Sequence, residues 1–266
     1  MSVSLVSPAG PQFSGRARTV PPQDLDDLWR PTSACGPRCR SVPPARAGLL
    51  RQAARAAAAT AVLLVGVLLP WRADLLARAL LRALGVRLRV QGPPIAVGAL
   101  LVGNHVSWLD IVVALALSGR ARRLRMVAKS EVGAWPVIGR IARRQRTIFV
   151  DRARPRRLPL TVAEAAAALR AGDTVQVFPE GTTTCGPHQV RWRSAFFQAA
   201  LDAGAAVQPF TLSYTHPAAS FIGEDTLVES LRRVLAARSL RVTVTTAQPQ
   251  PAVFSRRHLA YVLGRA

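Results

Sequence analysis

The chain has 266 residues, half of them hydrophobic, with 36 Lys and Arg against 14 Asp and Glu and a net charge of +22. This length and apolar fraction exclude a wholly disordered or disulfide-scaffolded chain and fit one large domain with appendages. The basic excess is almost all arginine, Lys129 being the sole lysine. It points to polyanions such as nucleic acid, anionic lipid or phosphorylated substrates, with a compositional bias toward Arg and Ala as the competing source.

Residues 1–45 are rich in Pro, Ser, Arg and Gly and keep no period, which predicts a disordered tail. The opening stretch has neither a charged start nor an unbroken apolar run, so no secretory signal is expected. Cys35 and Cys39 form a C-x3-C pair in the tail, and Cys185 is the only other cysteine. No second Cys/His pair follows at zinc-finger spacing, so no metal site is expected, and the compartment is read as reducing.

Residues 46–84 predict a helix pair. Residues 56–69 are uncharged and, apart from Thr60, apolar, and they end at Pro70, short of the roughly 20 residues a spanning helix needs. Extending the run back to Ala47 brings Arg51 and Arg55 inside. The next stretch, WRADLLARALLRALG, puts Leu75, Leu76, Ala79, Leu80, Ala83 and Leu84 on one face and Arg72, Arg78 and Arg82 on the other. Together they predict a hairpin lying in one leaflet of a membrane; a pair buried in a soluble core is the alternative.

From residue 86 short strand-like runs alternate with helical ones. VRLRV, ALLVG, LRMVA, RTIFV, TVQVF, VQPFTLSY and LRVTVTT read as strands. SWLDIVVALAL, TVAEAAAALRAG, RWRSAFFQAALDAG, TLVESLRRVLAAR and RRHLAYVLGR read as helices, with T-x-x-E capping boxes at Thr161/Glu164 and Thr226/Glu229. The alternation predicts an α/β domain over residues 85–266, a mixed, partly parallel sheet flanked by helices.

One stretch, LLVGNHVSWLDIVV, interrupts core-forming sequence with His105 and Asp110. Residues five apart on one helix point about 140° away from each other. Ser107 followed by Asp110 is an S-x-x-D helix start, however, which places Ser107 at the N-cap and Asp110 in the first turn. His105 then ends a strand, within reach of the Asp110 carboxylate. That arrangement is a general base with its orienter, without a protein nucleophile; a plain helix cap beside a turn histidine is the other reading. Two more clusters follow: FPEGTTT, where a turn presents Glu180 and threonine hydroxyls, and FVDRARPRR, where a strand runs into a basic loop.

Taken in order, NHVSWLD, AKSEVGAWPVIGR, FVDR, FPEGTTT and VQPF resemble the lysophosphatidate acyltransferase family, the H-x4-D glycerolipid acyltransferases, over roughly residues 85–215. The resemblance implies transfer of an acyl chain from acyl-CoA or acyl-carrier protein to a lysolipid hydroxyl, lysophosphatidate first among acceptors. His105 would be the base and Asp110 its orienter, with direct attack on the thioester and no role for Cys185 as nucleophile. Oxyanion donors are expected among the backbone N–H groups near Ser107. Asn104, Ser107, Lys129, Arg152, Glu180, Gly181, Thr182 and Pro209 are implied at the substrate. No cofactor, metal or nucleic acid is expected, and the location implied is the cytoplasmic face of the cell membrane, on anionic lipid. Thr183 stands where family members often carry a phosphate-binding arginine. Arg152, Arg191 or Arg193 would have to substitute, or the acceptor is another lysolipid such as a lyso-ornithine lipid. A non-catalytic basic membrane protein and an acyl hydrolase are the rival readings.

Overall fold

Aliphatic runs too short for helices and bounded by Gly, Pro and polar turns pair into one seven-stranded sheet. The computed structural model describes residues 31–40, 45–119, 124–135, 138–188 and 190–264; the tail expected over 1–30 and 41–44 lies outside them. The strands are β1 (Val86–Gln91), β2 (Leu100–Gly103), β3 (Leu124–Lys129), β4 (Ile148–Val150), β5 (Thr174–Val177), β6 (Val207–Tyr214) and β7 (Leu240–Thr246). Their order is β1-β7-β6-β2-β5-β3-β4. From β4 through β6 neighbours are parallel; β7 runs antiparallel to β6 and parallel to β1. The mixed, partly parallel α/β sheet expected from the alternation is therefore the one formed.

The central strand β2 is buried on both faces, as its uninterrupted LLVG demands. Leu101 packs in a cluster with α2 (Ala73–Ala83), α3 (Leu109–Leu117) and α8 (Leu227–Ala236). Leu100 and Val102 face the opposite way, into a cluster with α6 (Leu158–Arg170), α7 (Phe197–Ala203) and α9 (Arg256–Leu263). Two short helices, α4 (Ser130–Ala134) and α5 (Ile138–Arg144), fill the connection between β3 and β4.

Helix starts test the capping expectations. Thr226 and Glu229 form a complete reciprocal box. Thr161 does not cap: α6 begins at Leu158, with Pro159 in its first turn, and Thr161 is an interior residue. Proline fits a first turn because its missing N–H has no partner there, and it moves the start three residues upstream of the T-x-x-E match. The helix expected from Arg191 likewise begins later, at Phe197, because Arg193 N–H is held by Pro179 O at 2.9 Å.

The helix pair is not a separate body. Helix α1 (Leu49–Leu68) leans on α2 and α8, and α2 packs along α3. Arg55, a charge inside the apolar run, is buried: its guanidinium donates to Leu235 O and Ala237 O at 2.9 and 2.6 Å and to Arg238 O at 3.3 Å, closing the C-terminal end of α8. It also lies against Gly85, whose φ of +76° and lack of a Cβ leave room for it. The buried face of α2 is centred on Ala77 and Leu81, not on Leu75, which is exposed. Arg78 accordingly turns inward to donate to Ala116 O at 2.8 Å. Helix α1 is long and apolar enough to cross a membrane by length and composition.

Residues 31–40, expected within a disordered tail, are docked on the folded unit that begins at Pro31. Cys35 is buried, residues Pro37–Arg40 form a 3-10 turn, and Arg40 pairs with the Asp225 carboxylate at 2.5 and 3.0 Å. Asp225 also binds Arg233 at 2.7 Å. Composition marked this segment as a loose tail; a buried thiol and a bidentate ion pair hold it.

Candidate active site

The sequence clusters all fall at the carboxyl ends of the parallel strands, where open α/β sheets leave a crevice. His105 follows β2, Glu180 follows β5, Lys129 ends β3 and Arg152 follows β4. Lys129 lies opposite Val150 in the β3–β4 register.

The centre is built on Asp110, which has no exposed surface. Its Oδ2 sits 2.8 Å from His105 Nδ1 and accepts from the N–H groups of Val106 at 2.7 Å and Ser107 at 2.8 Å. Its Oδ1 accepts from the Tyr214 hydroxyl. Ser107 Oγ accepts from Leu109 N–H at 3.2 Å; α3 starts one residue later than the spacing predicted, with Trp108 at its N-cap and Asp110 in its first turn, as expected. An ionised carboxylate only accepts, so Nδ1 of His105 carries the proton and Nε2 is left as the base. The ring stacks on Phe178, with centroids 4.1 Å apart and planes 7° off parallel, and keeps 18 % of its side chain exposed. A packed, oriented imidazole with one open edge can take a proton from a bound hydroxyl.

Tyr214 was not singled out from sequence. Burial, then the Asp110 charge, hold its hydroxyl well above the ordinary phenol range, so it stays a donor. The signal lay in phase: along β6, Phe210, Leu212 and Tyr214 share the face that packs toward α3.

Several residues expected at the substrate have structural duties. Asn104 clips β2 to β6, its amide donating to Leu212 O at 2.9 Å and accepting from Leu212 N–H at 2.7 Å. Ser107 is fully buried, its hydroxyl accepting from Leu109 N–H at the start of α3. Pro209 is buried within β6 opposite Val102. The expected oxyanion donors near Ser107 are spent: the N–H groups of Val106 and Ser107 both serve Asp110. Glu180, only 2 % exposed, accepts from His105 N–H at 3.1 Å and so positions the histidine's main chain. Burial pushes its carboxyl up to about 7.

The remaining residues stand at or after the ends of β3, β4 and β5. Arg152 donates to Gly181 O at 2.6 Å; burial lowers its pKa, with Glu131 opposing and Arg193 adding to the shift. Arg152 is thus in electrostatic reach of one carboxylate and a second guanidinium. Gly181 turns at φ +68°, a conformation that favours glycine. Thr182 is half-buried on the same turn, and Lys129 is exposed. Thr183 donates its hydroxyl to Phe221 O, and Thr184 N–H donates to His105 O at 2.8 Å. Cys185 Sγ is 3.0 Å from His188 Nδ1; burial pushes its thiol up to about 11, far from the range of a nucleophilic thiolate.

This geometry can be set against known proteins. The Acyltransferase family profile matches residues 87–213. The lyso-ornithine lipid O-acyltransferase of Brucella abortus is 36 % identical over 195 residues, 65 % of this chain and 70 % of that protein. The chain belongs to the acyltransferase family. That of Rhodobacter capsulatus is 34 % identical, over 69 % of this chain and 71 % of its own length. The 1-acyl-sn-glycerol-3-phosphate acyltransferase of Neisseria meningitidis is 35 % identical, over 52 % and 54 %. In fold, this acyltransferase resembles the 1-acyl-sn-glycerophosphate acyltransferase of Thermotoga maritima at a TM-score of 0.57 and 21 % identity, over 82 % of this chain and 93 % of that one. The acyltransferase identity and the lysolipid class of acceptor agree with the resemblance of the motif blocks.

Proposed function

We propose that this acyltransferase moves an acyl chain from a thioester, acyl-CoA or acyl-carrier protein, to the free hydroxyl of a lyso-ornithine-type lipid at a membrane surface. His105 Nε2 takes the hydroxyl proton as the oxygen attacks the thioester carbonyl. Asp110, held by Tyr214 and two N–H groups, stabilises the imidazolium that forms. The tetrahedral intermediate then expels the thiolate, which leaves with the proton returned by His105. Base help of this kind contributes about 10² to 10⁴ in rate.

Thr183 carries the choice of acceptor. Its hydroxyl is engaged by Phe221 O, so the position that often offers an arginine to phosphate offers no cation here. An ornithine headgroup carries one carboxylate and one amine. Arg152, with Glu131 near enough to influence it, suits that zwitterion, and the Brucella and Rhodobacter relatives are named for such an acceptor. Lysophosphatidate is the second reading, favoured by the approach of Arg193 to Arg152. Attachment to the cytoplasmic face of the cell membrane is supported by the exposed Leu64, Leu68 and Trp71 around the end of α1 and by the basic excess, which draws the chain to anionic lipid.

The test is a competition. Purified protein on anionic vesicles receives equal lyso-ornithine lipid and lysophosphatidate with one acyl-CoA, and the lipid products are weighed by mass spectrometry. Acylated ornithine lipid as the main product is expected; phosphatidate as the main product would transfer the proposal to the second reading.

A further inference from the structure

Cys35, Cys39, Cys185 and His188 come together at the docked N-terminal segment. Their three Sγ atoms and one imidazole nitrogen all lie within 4.8 Å of one another. Cys185 Sγ is 3.0 Å and Cys39 Sγ 3.9 Å from His188 Nδ1. Cys185 N–H points at Cys35 Sγ at 3.3 Å, the kind of donor that steadies a thiolate. We propose that these four side chains form a structural zinc site that fastens residues 31–40 to the loop after β5.

The donor set supports zinc. Three soft thiolates and one imidazole select Zn²⁺ over hard cations. A tetrahedral centre with Zn–S near 2.3 Å and Zn–N near 2.0–2.1 Å sets its ligand atoms about 3.4–3.8 Å apart. The observed separations straddle that value, so closure needs side-chain shifts of under about 1 Å. The ligands come in two turn-spaced pairs, C-x3-C, within the spacing such sites use, and C-x2-H. The second pair bends at Gly186, whose φ of +99° suits the turn. Spacing along the chain hid the group, because the two pairs lie some 150 residues apart. Four protein ligands leave no open position, so the site is structural and not catalytic.

Its place in the fold explains what it would hold. The loop that carries Cys185 also carries Glu180, bonded to His105 N–H, and Thr184, bonded to His105 O. Pro31 packs against Gly181 on the same turn. The ion would clamp the segment over the loop that fixes the histidine's main chain. A dication draws the protons from coordinating thiols, so uptake should release protons and weaken in acid.

The full chain is purified under reducing conditions with zinc present, gel-filtered and assayed for metal. About one zinc per chain is expected. Replacement by cobalt(II) should give thiolate charge-transfer bands and the visible bands of a tetrahedral centre. His188→Ala should weaken cobalt binding by more than roughly 100-fold, beyond what loss of a mere supporting contact costs, and His188→Cys should restore it. Should the alanine variant fold poorly, the wild type decides alone: zinc should protect all three thiols from a thiol reagent, and a chelator should expose them. Sub-stoichiometric metal, an octahedral cobalt spectrum, thiols equally reactive with and without zinc, or a disulfide among the three cysteines would overturn the proposal.

Discussion

Asp110→Asn is the substitution that separates a catalytic orienter from a helix cap. The carboxylate accepts four donors: His105 Nδ1, Val106 N–H, Ser107 N–H and the Tyr214 hydroxyl. Asparagine can turn its carbonyl oxygen to the first three and its NH2 to Tyr214, whose hydroxyl can rotate to accept. The geometry therefore survives while the charge goes. Hydrogen bonds to a charged partner contribute about 1.5–3 kcal/mol and neutral ones about 0.5–1.5, so losing the charge costs about 1 kcal/mol per bond, or roughly 3–4 kcal/mol for the set. The imidazolium formed in the reaction loses its buried counter-charge as well. The turnover rate should fall by about 10² to 10⁴ with little change in KM for either substrate. Thiol release on vesicles measures the rate, and denaturant unfolding measures the stability loss. A variant that loses stability but keeps its turnover rate would reduce Asp110 to a cap and remove the basis for the mechanism.

Tyr214→Phe should lower the turnover rate by a smaller factor than Asp110→Asn, and the double variant should be less impaired than the product of the two, since both act on one network; independent effects would disconnect Tyr214 from the base. Glu180 supplies a pH signature. Its carboxyl is raised from 4.5 to about 7 in the fold, so between those values the folded chain holds a proton that the unfolded chain releases, and the contribution of Glu180 to stability is greatest below about pH 4.5 and falls as pH rises to about 7, by roughly 3 kcal/mol at most. Glu180→Gln should flatten that slope in denaturation curves at pH 5 and 8; equal slopes would refute the assignment. Arg152→Ala should raise the acceptor KM about ten- to a hundredfold without affecting the thioester KM, and Glu131→Gln should do so for a lyso-ornithine acceptor but not for lysophosphatidate. Leu64→Glu with Leu68→Glu, both on the exposed face of α1, should release the protein from sedimenting vesicles at an unchanged melting temperature; retained binding would place the membrane contact elsewhere.

The strands were legible because their apolar runs are short and bounded; β6 and β7 match the sequence reading residue for residue. The His105–Asp110 pair was legible because an S-x-x-D start brings position 110 back toward 105. Other features needed long-range contacts. Arg55 and Arg78 read as surface or interfacial charges, yet both turn inward onto carbonyls at helix ends, which no local period reveals. Asn104 and Glu180 sit inside motif blocks and invite a substrate role, while their partners are backbone groups of other strands and loops. Residues 31–40 have the composition of a loose segment; the pairing of Arg40 with Asp225 spans 185 residues.

The most direct test of direct acyl transfer to a lipid hydroxyl by His105 is thiol release from acyl-CoA by the wild type and His105→Ala, each with and without lysolipid on the same vesicles. Rapid release is predicted only for the wild type with lysolipid present, with no acyl group left on the protein. Release by the wild type without lysolipid, or by His105→Ala at the wild-type rate, would contradict it.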